Sequence, residues 1–104
     1  MKRAAFKMYL NKGQIADYKQ RHQEIWPELK NLLKESGISE YSIFFDDETN
    51  TLFAFQKVGN EGNSQDLGQV DIVKRWWKFM SDIMKTNDDN SPVTKPLEEV
   101  FYME

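Results

Sequence analysis

Over residues 2–10 the apolar Ala4, Phe6, Met8 and Leu10 alternate with Ala5, Lys7 and Tyr9, the period of two that a strand with one buried face requires. Past Asn11-Lys12-Gly13 the period changes. Ile15, Tyr18, His22, Ile25, Trp26, Leu29, Leu32 and Leu33 recur at steps of three and four, which places them on one face of a helix. Pro27 falls inside this stretch. Its ring removes an N–H and collides with the carbonyl four residues back, so the helix is expected to kink or to restart with Pro27 as the first residue of a second piece, and Gly37 to cap its end.

Two β-rich runs follow, at residues 41–45 and 52–56, and the polar connector between them predicts a hairpin. Residues 59–68 carry three glycines and one large apolar side chain, and read as a flexible loop with a helical turn at its end. A second helix is predicted from about residue 70 to 84, with Ile72, Val73, Trp76, Trp77, Met80, Ile83 and Met84 facing inward. Lys74, Arg75, Lys78, Ser81 and Asp82 face outward. A polar loop over 85–96 then leads to a last strand at 97–103. The order strand, helix, strand, strand, helix, strand predicts an α+β fold of the ferredoxin-like, split βαβ kind. Each helix there crosses between neighbouring parallel strands, and both lie on one face of an antiparallel sheet. The hairpin is apolar on both parities: Ile43 and Phe45 oppose Phe44, and Leu52 and Ala54 oppose Phe53 and Phe55. An aromatic sheet face left open marks an interface, so a homodimer is expected to cover it, giving a barrel-like assembly.

Composition narrows this picture. A chain of 104 residues is one domain, 1–104. With 39% hydrophobic and 13% aromatic residues it can build a core, but its ligand sites must lie near the surface or between subunits. Fourteen basic against seventeen acidic residues give a net charge of −3, and no basic run stands out, so nucleic acid is not an expected partner. No cysteine is present, which removes disulfides and thiolate chemistry together and fits the cytoplasm. No apolar run approaches a membrane span or a signal peptide, and a soluble protein is expected.

The chemistry rests on few side chains. His22 is the single histidine and the one group that titrates near neutrality; it lies one helical turn after Tyr18 on the inner face. It can be a packed histidine with one hydrogen bond, or a general acid or base beside a phenol. Trp76 and Trp77 are core residues or, equally in keeping with their chemistry, indoles on which the C–H face of a sugar stacks. Tyr41 opens the second strand and can present its hydroxyl at a pocket rim or simply pack in the sheet. Asn87-Asp88-Asp89-Asn90-Ser91-Pro92 has the composition of a turn and lacks the glycine and distal glutamate of a calcium loop, so no metal is expected. Serine hydrolase, phosphate-loop and dinucleotide motifs are absent.

Taken together, Tyr18, Arg21-His22, Ile25-Trp26-Pro27-Glu28-Leu29, Tyr41, Leu52-Phe53-Ala54, Arg75-Trp76-Trp77-Lys78, Asp89-Asn90-Ser91-Pro92-Val93 and Glu99-Val100-Phe101-Tyr102 resemble the L-rhamnose mutarotases along the whole chain. The loop at 59–68 departs from that pattern in being richer in glycine and polar residues. The resemblance implies a cytoplasmic homodimer of ferredoxin-like protomers that interconverts the α and β anomers of L-rhamnose without a cofactor. It implies His22 as proton donor and Tyr18, Tyr41, Trp76 and Trp77 as sugar contacts. Which group acts as base, be it a tyrosine, a carboxylate or water, stays open. Two other classes fit the same architecture: a dimeric monooxygenase or haem-binding protein with His22 on iron, and a non-catalytic sugar-sensing module.

Overall fold

A computed structural model of the chain describes residues 2–59 and 63–104. Strands β1 (Lys2–Tyr9), β2 (Ile38–Asp46), β3 (Thr51–Val58) and the two-residue β4 (Lys95–Pro96) form one antiparallel sheet in the order β2-β3-β1-β4. Three α-helices, α1 (Ile15–Gln23), α2 (Pro27–Glu35) and α3 (Asp71–Met80), complete an α+β fold. Strands joined through a helix are not neighbours, contrary to the expectation. β3 lies between β1 and β2, and β1 between β3 and β4.

The period-two pattern is realised side by side in β1 and β3. Phe6 pairs with Ala54 and Met8 with Leu52, and all four are buried on one sheet face against Tyr18, Leu29, Ile72, Val73, Trp76, Trp77 and Met80. All three helices therefore cover the same face. Burying side chains of this size contributes roughly 1.5–3 kcal/mol each. Pro27 stands at the start of α2, where its missing N–H costs nothing, and Trp26 before it is extended at φ −60° and ψ 127°. Gly37 ends α2 at φ +85°, the left-handed turn that glycine adopts without strain.

On the other face, β3 presents Phe53 and Phe55, and β2 presents Phe44 opposite Phe53. Phe44 is 62% exposed and meets Phe55 edge to face at 5.8 Å. The parity read from the sequence is the observed one.

Several boundaries differ from expectation: β2 begins at Ile38, so Tyr41 lies inside the strand and does not open it, and β3 runs from Thr51 to Val58 rather than 52–56. Helix α3 ends at Met80 rather than near residue 84. Past it the chain pairs with the end of β1: Asn11 N–H donates to the Ile83 carbonyl at 2.9 Å and Lys85 N–H to that of Tyr9 at 3.0 Å. Ile83 and Met84 stay in the core without being helical, because strand pairing offers their backbone groups better partners. The last strand was expected at 97–103, but β4 is Lys95–Pro96 opposite Phe6 and Lys7. One further bond, Leu97 N–H to the Ala5 carbonyl at 2.9 Å, ends the pairing. Beyond it the tail follows Arg3, whose guanidinium forks onto Glu99 and lies over the Tyr102 ring at 3.3 Å. Val100, Phe101 and Met103 are left exposed.

Of the loop expected at 59–68, residues 60–62 lie outside the described residues; its end is a helical turn, Ser64–Leu67, as predicted. Gly68 after it is pressed against an indole. A Cβ there would stand 2.8 and 2.9 Å from Cζ3 and Cη2 of Trp77. Gly68→Ala is therefore expected to destabilise the fold by about 1–3 kcal/mol, the cost of overpacking a filled interior. Thermal unfolding measures it, and an unchanged midpoint would mean that Trp77 is free to move aside.

Candidate active site

The site begins on α1. Tyr18 and His22 are one turn apart, so their rings share a face, and they stack at 4.3 Å between centroids and 28° between planes. His22 Nδ1 lies 2.9 Å from the Tyr18 carbonyl oxygen. That oxygen can only accept, so Nδ1 carries the proton and Nε2 keeps a bare lone pair in the neutral ring. Burial holds the His22 pKa below the usual 6.5, with the Tyr18 carbonyl opposing it more weakly. The imidazole is therefore neutral at pH 7.

Helix α3 supplies the next wall. Trp76 meets His22 edge to face at 5.5 Å and Trp26 at 5.1 Å, and Phe79 touches both tryptophans at 5.5 and 5.7 Å. Trp76 and Trp77 are only 8% and 9% exposed. They belong to the core, yet both border an open cleft of about 1120 Å³ that Tyr18, His22 and Tyr41 also line. The two readings of these indoles, packing and ligand contact, are thus compatible in one place.

Tyr41 reaches that cleft through a break in the sheet. Ser39 pairs with Lys57 and Ser42 with Phe55, so Glu40 and Tyr41 together oppose the single residue Gln56. Glu40 takes φ +46°, in the left-handed region, to accommodate the extra residue. This bulge switches the parity of β2, with Ile38 inward before it and Tyr41, Ile43 and Phe45 inward after it. Burial pushes the Tyr41 hydroxyl pKa up, and burial with the neighbouring Tyr41 does the same to Tyr18, so both phenols stay protonated hydrogen-bond donors.

Opposite the bulge, Gln56 is 2% exposed and spends its whole amide on Ser64. Its Oε1 accepts from Ser64 N–H at 2.8 Å, and its Nε2 donates to Ser64 Oγ at 3.0 Å. This fastens the turn so that Ser64 and Gln65 line the cleft beside Tyr41. Sequence reasoning gave no role at the site to these residues, nor to Trp26, Phe79 and Arg21. The signal for Gln56 was present, a polar residue at an inward parity between Ala54 and Val58.

The candidate residues therefore converge: His22, Tyr18 and Trp76 in ring contact, Tyr41 and Trp77 on the same cleft. The segment at 87–92 forms a turn instead. Asn87 donates to Ser91 Oγ at 3.0 Å, and Asp89 accepts from the Ser91 N–H and hydroxyl, which holds its carboxyl below the usual range. Among the described residues no three His, Asp or Glu side chains cluster as metal ligands.

A depressed His22 pKa has a consequence for stability. The unfolded chain binds more protons than the folded one between the folded pKa and about 6.5, so stability is full above 6.5 and declines as pH falls through the folded value. As the only histidine, His22 gives one set of imidazole signals. NMR titration is expected to find a midpoint below 6.5 with Nδ1 as the protonated nitrogen, and His22→Asn to flatten that limb of the stability profile. A midpoint at or above 6.5 would contradict the buried neutral ring.

Comparison with known proteins agrees along the whole length. A family model described as L-rhamnose mutarotase matches residues 3–103. The chain is 69% identical to an L-rhamnose mutarotase of Formosa agariphila and 62% identical to one of Bacteroides thetaiotaomicron, each over 104 residues covering all of both chains. It is also similar to the crystal structure of an L-rhamnose mutarotase from Formosa agariphila, with a TM-score of 0.91 and 63% identity over the full length of both. Matched over nearly its whole length by the family model and by these relatives, the chain belongs to the L-rhamnose mutarotase family.

Proposed function

We propose that this chain interconverts the α and β anomers of L-rhamnose, with His22 moving the proton and Tyr18, Tyr41, Trp76 and Trp77 contacting the sugar. The names of the relatives favour this over the monooxygenase and sugar-sensing readings. The observation that carries the chemistry is the state of the His22 ring, neutral, with Nδ1–H held by the Tyr18 carbonyl at 2.9 Å.

Neutral Nε2 takes the proton of the anomeric hydroxyl. The C1–O5 bond breaks as the C1–O1 carbonyl forms, and the imidazolium returns the same proton to O5. One nitrogen serves both oxygens because both are bonded to C1, so His22 is base first and proton donor second. Rotation about C1–C2 presents the other aldehyde face, and the steps reverse. Atoms and charge balance without a cofactor. The indoles take the C–H face of the sugar and the phenols its hydroxyls.

Exchange NMR on L-rhamnose tests this. Micromolar protein is expected to speed anomer exchange over buffer, and His22→Ala to slow it by about 10²–10⁴-fold, the usual worth of general acid–base assistance. The active resting form is the neutral ring, so the rate is expected to rise as pH rises through the depressed His22 pKa and then level off. A rate that falls over that range would make the imidazolium the resting catalyst, and a rate equal to buffer would sink the activity.

The strand order β2-β3-β1-β4 with every helix on one face supports the ferredoxin-like arrangement, and the open aromatic face supports a homodimer joined through it. The absence of cysteine from the sequence suits a cytoplasmic setting. Light scattering at low micromolar concentration is expected to give twice the chain mass, and Phe44→Glu to shift it toward one. A wild-type protein of single-chain mass would remove the dimer.

A further inference from the structure

His22 lies in the last turn of a nine-residue helix, two residues from its cap and just before the break at Pro27. A helix this short is marginal by itself, and its final turn frays unless something outside holds it. The cap of α1 consists of backbone N–H groups alone, Glu24 to the Gln20 carbonyl and Ile25 to that of His22. The side chain that hydrogen-bonds this turn to another element is that of Arg21.

Arg21 reaches from α1 to the end of α3. Its Nη1 donates to the Phe79 carbonyl oxygen at 2.7 Å and to Asp82 Oδ1 at 2.8 Å, and its Nη2 to Asp82 Oδ2 at 3.1 Å. The Phe79 carbonyl is one of the four at the end of α3 that the helix itself leaves without a partner, and a cation there also meets the negative end of the helix dipole. The guanidinium lies over the Phe79 ring at 4.6 Å. Phe79 in turn packs on Trp76, and Trp76 on His22. Arg21 therefore holds both ends of one chain of contacts: the backbone that carries His22 and the aromatic group against which its ring stands.

Stability is a poor account of this arrangement. Asp82 is 66% exposed, and an ion pair so open to water adds little to folding. What a fork of parallel N–H groups supplies is direction, because the planar guanidinium fixes distance and angle where an ammonium offers only a point charge. We infer that Arg21, locked by Asp82 and the Phe79 carbonyl, is a positioning residue that sets the His22 imidazole against Trp76 for proton transfer. This rests on the proposed role of His22. Arg21 touches no reacting atom and acts through its neighbour.

The test compares Arg21→Lys, His22→Ala and the double variant, each per folded molecule, by anomer exchange of L-rhamnose, sugar affinity and melting temperature. Arg21→Lys keeps the charge and loses the fork. It is expected to slow exchange by about tenfold, as displacement of a catalytic group by a fraction of an ångström does, while sugar affinity stays within about twofold. On the His22→Ala background it is expected to change exchange no further. Equal slowing on both backgrounds would reduce Arg21 to a structural role, and an unaltered rate in the single variant would overturn the inference outright. Should Arg21→Lys fail to fold, Asp82→Asn, at an exposed position, removes the charge from the same clamp. It is expected to slow exchange in the same His22-dependent way, and a wild-type rate in it overturns the inference too. If His22→Ala alone keeps the wild-type rate, the role of His22 has failed and this inference falls with it.

Discussion

A proline inside a helix removes a hydrogen bond and clashes with the turn before it, and much of the site follows from that constraint. Pro27 divides one amphipathic stretch into two helices of nine residues each. The residue before a proline is driven out of the helical region, so Trp26 is extended at the junction and its indole packs on Trp76 and Phe79. An unbroken helix would carry Tyr18, His22 and Leu29 along one line. With the break, α2 packs against the sheet and α3, and the Tyr18–His22 pair on α1 borders a cleft as well as a core.

Much of this was legible because it is local. Alternation in β1 and β3, the three-and-four spacing of α1 and α2, the proline start and the glycine end each follow from steric rules that act within a few residues. The partnership of Tyr18 with His22 is likewise a matter of helical pitch. The missed features depend on partners far away in sequence. Ile83 and Met84 continue the apolar pattern of α3, yet their backbone is taken by the end of β1. The tail at 97–103 is rich in strand formers, but after Leu97 it follows Arg3 through Glu99 and Tyr102.

Tyr41 is the more instructive case, because its rim position was one of two readings and neither invoked a bulge. Extending the alternation of Ile43 and Phe45 back to Ile38 would turn Ile38 outward, although it is buried. The extra residue at Glu40 resolves the conflict and leaves Gln56 facing two residues. On the same inward face the amide of Gln56 holds Ser64, and a loop that looked peripheral becomes part of the cleft wall. No property of residues 63–67 in isolation announces this.

Burial creates an electrostatic tension that Tyr18 resolves. A low-dielectric setting favours the neutral imidazole and so keeps Nε2 available to take a proton. The same burial opposes the imidazolium that the proposed mechanism then requires. The Tyr18 carbonyl accepts from Nδ1–H at 2.9 Å, and a hydrogen bond of this kind grows to roughly twice its strength when the donor becomes charged. The Tyr18 ring, stacked on the imidazole at 4.3 Å, presents a π face that attracts a cation more strongly than it does the neutral ring. Both interactions therefore strengthen on protonation, and for the proposed proton transfer that is the differential binding that lowers a barrier instead of merely stabilising the resting site. In the proposed mechanism, burial and charge stabilisation thus meet in one residue, because Tyr18, which packs on His22, also favours its charged form.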